Sequence, residues 1–257
     1  MTAVRSNCVS RCPKIVPRFV WEAERLTWDD VGNLGKLIAD TIQSNNLDGL
    51  VFELGFSEGI LPIIESIRKA IQEKELILTV HPQSLDSVAS GPSLLSKINS
   101  LVDHVILMTY DYSVSRGMNG PNAPISFCKN TIRKYLHLAK KEDQKETLQH
   151  VMMGIPFYGY DNGSAIIGSQ YLDLLKTHET TMEFNKKAQE HVTMYRDDRG
   201  ALHSVFFPSL LFLQERLKLA QKLHCGVSIW ELGQGLDFFL DLLCRVCYKQ
   251  NEINGTI

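Results

Sequence analysis

Asp48-Gly-Leu-Val-Phe-Glu53-Leu-Gly55, the amphipathic segment Gly59 to Lys74 and the apolar run Leu76-Ile-Leu-Thr-Val80 together decide the fold class. A short apolar run, a segment with isoleucines at 63, 64, 67 and 71, and a second apolar run read as strand, crossover helix and parallel strand. The isoleucine stripe gives the helix one face to bury, and continuous apolar runs suit strands covered on both faces. The rhythm continues outward. Further strands are expected at Ile15 to Trp21, Leu50 to Leu54, Val105 to Thr109, Val151 to Tyr158 and Val227 to Glu231. Further helices are expected at Trp28 to Asn45, Ser126 to Lys140 and Ser209 to Leu223. Repeated strand and helix units predict an α/β fold built on a parallel sheet.

Segment 159–207 breaks the pattern, being polar and punctuated by Gly163, Gly168 and Gly200. It is expected to be a small α+β insertion between the last two strands, with short strands around 183–184, 193–195 and 204–206. The organisation read from the chain is an irregular segment over 1–14, a partial barrel over 15–248 carrying that insertion, and a disordered tail over 249–257. The strands number two fewer than a closed (β/α)8 barrel requires. An opened sheet would expose unpaired edges, so an unstable fragment that binds a partner through them is one reading to carry forward.

Composition narrows the partners. The 27 basic and 29 acidic residues give a net charge of -2 and are mixed along the chain, which leaves no basic stripe for nucleic acid. No stretch approaches the roughly 20 apolar residues of a membrane span, and the first residues do not resemble a secretory signal. The six cysteines, Cys244 and Cys247 among them, have no zinc-site spacing, and the histidines show no ligand spacing. No metal and no cofactor is expected. Asn162-Gly-Ser and Asn254-Gly-Thr match the acceptor pattern for N-glycosylation.

Four motifs lie where barrel strands end, the end at which barrel enzymes carry their reacting groups. They are Asp48-Gly-Leu-Val-Phe-Glu53, Met108-Thr-Tyr110-Asp111-Tyr112 with Gly120-Pro-Asn-Ala-Pro124, Gly154-Ile-Pro-Phe-Tyr158-Gly159, and Ser228-Ile-Trp230-Glu231-Leu-Gly233-Gln234. Together they resemble the fourth, sixth, seventh and eighth strand signatures of family-18 glycoside hydrolases, from about Pro17 to Leu243. The resemblance implies a (β/α)8 barrel of which the third to eighth strands are present. It also implies substrate-assisted cleavage, in which the sugar's own N-acetyl group attacks the anomeric carbon and the protein adds a general acid and groups that orient the acetamide.

The chain departs from that pattern at one decisive place. Gly55 stands where the family has its acidic Glu, and a glycine donates no proton. Glu53 lies two residues earlier on the same strand face, roughly 6 to 7 Å deeper at about 3.3 Å per residue. The expectation is therefore a non-hydrolytic relative, similar to the chitinase-like lectins of the family. It would bind N-acetylated amino sugars or chitooligosaccharide through Glu53, Tyr110, Asp111, Tyr158 and Trp230, with the Trp230 indole under the sugar ring. The alternative is a weakly active glycosidase using Glu53 or Glu231 as acid. By the same resemblance the chain would be secreted or lysosomal, meet a sorting receptor and serve innate immune recognition; without a leader it would stay in the cytosol.

Overall fold

The computed structural model describes residues 13–20, 28–53, 56–86 and 91–243. In chain order the strands and helices are β1 (Arg18–Val20), α1 (Trp28–Ser44), β2 (Gly49–Glu53), α2 (Leu61–Ile71), β3 (Glu75–Val80), α3 (Gly91–Leu101), β4 (His104–Leu107), α4 (Ile125–His137), α5 (Gln144–His150) and β5 (Val151–Pro156). They continue with β6 (Gly159–Asp161), β7 (Ser164–Ile166), α6 (Gly168–Thr177), β8 (Thr180–Asn185), β9 (Glu190–Arg196), β10 (Leu202–Phe206), α7 (Leu210–Leu223) and β11 (Gly226–Trp230). The chain divides into two compact units, 1–107 with 135–151, and 108–134 with 152–257.

The first unit is a parallel sheet in the order β1, β2, β3, β4, as the continuous apolar runs require. Every residue of β3 from Leu76 to Val80 is buried, whereas β2 alternates, with Leu50 and Phe52 inside and Val51 and Glu53 half-buried. Arg18 and Val20 of β1 are exposed, so this strand is not covered on both faces as expected; only Phe19 points inward among its three residues. Helix α2 begins with Pro62 in its first turn and buries Ile63, Ile64, Ile67 and Ile71. Gly49 is required because a Cβ there would lie 2.0 Å from the Glu75 carbonyl oxygen. Arg68 ties the layers by donating to the carbonyls of Leu101, Gln72 and Lys74 and to Asp103 Oδ2.

The second unit contains the parallel pair of β5 with β11, in register from Gly226 on Met152 to Trp230 on Pro156. It also holds a five-stranded antiparallel sheet in the order β7, β6, β10, β9, β8. This sheet is larger than the three short strands expected over 159–207. The extra pair β6 and β7 is a hairpin turning on Asn162 (φ 45°) and Gly163 (φ 87°), the backbone that an Asn-Gly turn adopts. Asn162 holds that turn, its amide donating to the Leu202 carbonyl and its Oδ1 accepting from Ser204 N–H. Ser209 caps α7 by accepting the Phe212 N–H at 3.2 Å.

Helices α3, α5 and α6 were not expected. The expected irregular segment over 1–14 is described only from residue 13, and the expected tail over 249–257 lies outside the described residues, as do Trp21, Leu54, Gly55, Cys244, Cys247 and Asn254. No helix among the described residues is long and apolar enough to cross a membrane.

Candidate functional site

The loop that follows β4 and the segment that follows β5 bring three tyrosines around one carboxylate. Asp111 stands in the left-handed region (φ 61°), a conformation that Asp tolerates better than most residues. Its Oδ1 accepts the Tyr160 hydroxyl at 2.6 Å and also the Tyr158 hydroxyl. Tyr158 and Tyr160 are two apart on an extended segment, hence on one face, and their rings meet edge to face at 5.6 Å. Tyr110 packs edge to face on Tyr158 at 6.2 Å and is 7% exposed. Burial, then the hydrogen bond to the Asp111 carboxylate, pushes both the Tyr158 and Tyr160 phenols up, so both stay protonated donors. The carboxylate is the charged partner of two neutral donors, and short charge-assisted bonds of this kind fix an acceptor in place.

Gly159 sits between the two tyrosines for a packing reason. A Cβ there would lie 2.3 Å from the Phe206 carbonyl oxygen and 2.8 Å from Phe207 Cα, so β6 reaches β10 only because residue 159 has no side chain. Residue 159 opens β6.

Asn122 lies under Asp111 and is 2% exposed. It accepts the Asp111 N–H on Oδ1 at 2.7 Å and the Tyr112 N–H on its carbonyl at 2.8 Å, and its amide donates to the Tyr158 carbonyl at 3.2 Å. Its own N–H and that of Ala123 donate to the two oxygens of Glu190, at 3.0 and 2.9 Å. Glu190 is 3% exposed, with the fully buried Arg216 guanidinium 3.4 Å away. Arg216 also donates to the carbonyls of Ala123 (2.6 Å), Gln189 (2.7 Å), Phe212 (3.1 Å) and Ala188 (3.1 Å), and lies over the Phe212 ring. Burial pushes the Glu190 carboxyl up to about 7 against the pull of Arg216 and the two amides, and burial likewise lowers Arg216.

Of the residues proposed from the sequence, Tyr110, Asp111 and Tyr158 form one cluster, joined by Tyr160. Trp230 ends β11 half-buried, and its carbonyl accepts the Phe157 N–H at 2.7 Å. Glu53 belongs to the first unit, where its Oε2 pairs with Arg18 Nε at 2.7 Å. Sequence reasoning missed Tyr160, although its spacing from Tyr158 carried the signal. Asn122 and Ala123, within the 120–124 motif, are buried. Glu190 and Arg216 were read as part of a polar stretch and of an ordinary helix; nothing in their local sequence marks them as buried.

A family model described as glycosyl hydrolases family 18 matches residues 28–235. The uncharacterized glycosylase YvbX of Bacillus subtilis is 27% identical over 189 residues, 68% of this chain and 53% of that protein. A cortical fragment-lytic enzyme of the same organism is 25% identical over 144 residues, 52% of this chain and 32% of that protein. The chain thus spans about half or less of the length of these relatives. The crystal structure of the Bacillus megaterium spore cortex-lytic enzyme SleL is similar in fold, with a TM-score of 0.71 and 17% identity, covering 90% of this chain and 58% of that one.

These findings correct the expectation of a non-hydrolytic protein: the relatives are named glycosylases and lytic enzymes. The expectation rested on Gly55, a position outside the described residues. The lectin, lysosomal and innate-immune expectations find no support among these relatives.

Proposed function

We propose that this chain, which belongs to family 18 of the glycosyl hydrolases, supplies the acetamide-orienting part of a glycosidase acting on β-linked N-acetylated amino-sugar chains. The observation that carries the reading is the Asp111 carboxylate gripped by two phenols. Both use Oδ1, which leaves Oδ2 for the N–H of a sugar acetamide. An acetamide held this way turns its oxygen toward the anomeric carbon, and the carboxylate offsets the positive charge that grows on the ring formed by attack. Tyr110 and Trp230 contribute flat apolar area against the pyranose.

The leaving oxygen needs a proton that residue 55 does not supply. Glu53 is committed to Arg18, whereas Glu231 is exposed beside Trp230, which makes Glu231 the stronger candidate for general acid. The accompanying fold reading is that the six parallel strands, four in one unit and two in the other, stand as the third to eighth of a (β/α)8 barrel. The motifs after Asp103 also resemble chitinase domain-containing protein 1, which bears on the ligand class, an N-acetylated amino sugar.

The test is release of reducing ends from chitooligosaccharide and from its fully deacetylated counterpart. Turnover of the acetylated substrate alone, lost in Asp111→Asn and in Glu231→Gln, supports the reading. Equal turnover of the deacetylated chain, or full activity in Asp111→Asn, refutes it. Loss in Glu53→Gln with Glu231→Gln unaffected would move the acid to Glu53.

A further inference from the structure

We propose that Asn122, braced by the buried Glu190, is a positioning residue that sets the conformation of Asp111; the proposal rests on the reading of Asp111 as the acetamide-orienting group. Asp111 holds a positive φ, a backbone state that persists only where neighbouring groups fix it. The group that fixes it is Asn122 Oδ1, which takes the Asp111 N–H at 2.7 Å.

Asn122 engages all four of its hydrogen-bonding groups in different directions. The side-chain oxygen and the main-chain carbonyl hold Asp111 and Tyr112, the side-chain amide holds the Tyr158 carbonyl, and the main-chain N–H goes to Glu190. One buried amide therefore joins the backbone of Asp111 to the backbone of Tyr158, the residue whose hydroxyl grips the Asp111 carboxylate. Backbone and side chain of Asp111 are aligned by the same residue. Aspartate at 122 would oppose the Tyr158 carbonyl with an oxygen, and alanine would release both partners.

Glu190 gives this clamp its footing. Its two oxygens take successive N–H groups, Asn122 and Ala123, while Arg216 holds the Ala123 carbonyl at 2.6 Å. Ser113 Oγ closes the loop from the other side on the Pro121 carbonyl at 2.8 Å, against Gly120, where a Cβ would lie 2.7 Å from the same hydroxyl. Glu190 and Arg216 touch no position where a sugar is proposed to sit. Their influence on the chemistry runs through residue 122.

Two measurements test the proposal together, amide hydrogen exchange resolved by residue and steady-state cleavage of chitooligosaccharide. In Asn122→Ala the Asp111 amide is expected to exchange about tenfold faster or more, the scale of one lost hydrogen bond, while amides of β9 and β10 change by less than about threefold. In Glu190→Gln the Asn122 and Ala123 amides are expected to lose protection as well. Cleavage by Asn122→Ala is expected to lose kcat by about tenfold or more with KM within about threefold, because a misplaced group costs the transition state more than binding. Unchanged Asp111 protection in Asn122→Ala overturns the proposal, as does faster exchange spread evenly over the second unit, which marks a purely structural role. Asp111→Asn separates the two readings. Undiminished cleavage there sinks the role of Asp111 in the reaction, while the exchange arm still decides whether Asn122 sets its backbone.

Discussion

Arg216→Met should destabilise the protein at every pH, and more at alkaline than at acid pH. Arg216 is fully buried, stands 3.4 Å from the Glu190 carboxylate and supplies donors to four carbonyls. Methionine keeps the packing along the side-chain stem but removes the countercharge and every donor. Breaking one partner of a buried ion pair costs about 3–5 kcal/mol, because the remaining charge is left uncompensated. At pH 8 the parent's Glu190 is largely ionised, since its carboxyl sits at about 7 with the arginine present, whereas without the arginine the carboxyl is pushed higher and keeps its proton, so the extra loss at pH 8 relative to pH 5 is about 1.4 kcal/mol. At pH 5 the carboxyl is protonated in parent and variant alike, leaving the lost donors, at ~1–3 kcal/mol for each carbonyl that finds no other partner. Urea denaturation of parent and variant at pH 5 and pH 8 measures both numbers. A loss below about 1 kcal/mol at pH 8, or an equal loss at the two pH values, would refute the view that these groups interact as a buried ion pair.

Three further outcomes follow from the same geometry. Because burial raises the Glu190 carboxyl from 4.5 to about 7, its folded form holds the proton more tightly, so its contribution to stability is full below pH 4.5 and is lost as pH rises toward 7. The loss is of the order of 3 kcal/mol at about 1.4 kcal/mol per pH unit; Glu190→Gln should abolish this slope, and an unchanged slope in that variant counts against the assignment. Tyr160→Phe removes one of the two donors to Asp111 and should cost about 1.5–3 kcal/mol in kcat/KM on N-acetylated oligosaccharide, read from steady-state rates; an unchanged kcat/KM counts against the role of Asp111. Gly159→Ala places a methyl 2.3 Å from a main-chain oxygen that no rotamer change relieves, so a loss of about 2 kcal/mol or more is expected in denaturation.

What the sequence disclosed follows from how each feature is encoded. The parallel strands and the isoleucine-striped helix α2 were legible because burial on a regular element repeats, and repetition survives in the chain as periodicity. Helix α5 was not legible, since its only buried residue is Thr147 and a polar segment carries no stripe. Helix α3 did carry one, in Leu94, Leu95 and Ile98, behind a Gly-Pro-Ser start that reads equally well as a loop. The Asn162-Gly163 hairpin was signalled by its turn residues and was passed over because the flanking strands are only three residues long.

The candidate site divides along a different line. Tyr110, Asp111, Tyr158 and Trp230 could be named because they sit in motifs at strand ends, where side chains reach one another through the fold's own geometry. Asn122 and Glu190 could not, because what distinguishes them is burial without periodicity. Asn122 belongs to a Gly-Pro-Asn-Ala-Pro run whose composition describes a solvated turn, and Glu190 is one acid in a charged stretch, yet each is 3% exposed or less. An isolated buried polar residue leaves no mark on its neighbours in sequence; its reason lies in partners 11, 36 and 68 residues away. Such a residue is tolerated only where every polar group finds a partner, a demand that a solvated loop never makes. A fully satisfied, buried amide beneath a strained aspartate therefore weighs more toward function than the motifs above it: the motifs identify the groups that could meet a sugar, and the buried residues account for one of those groups holding a backbone conformation it would not keep alone.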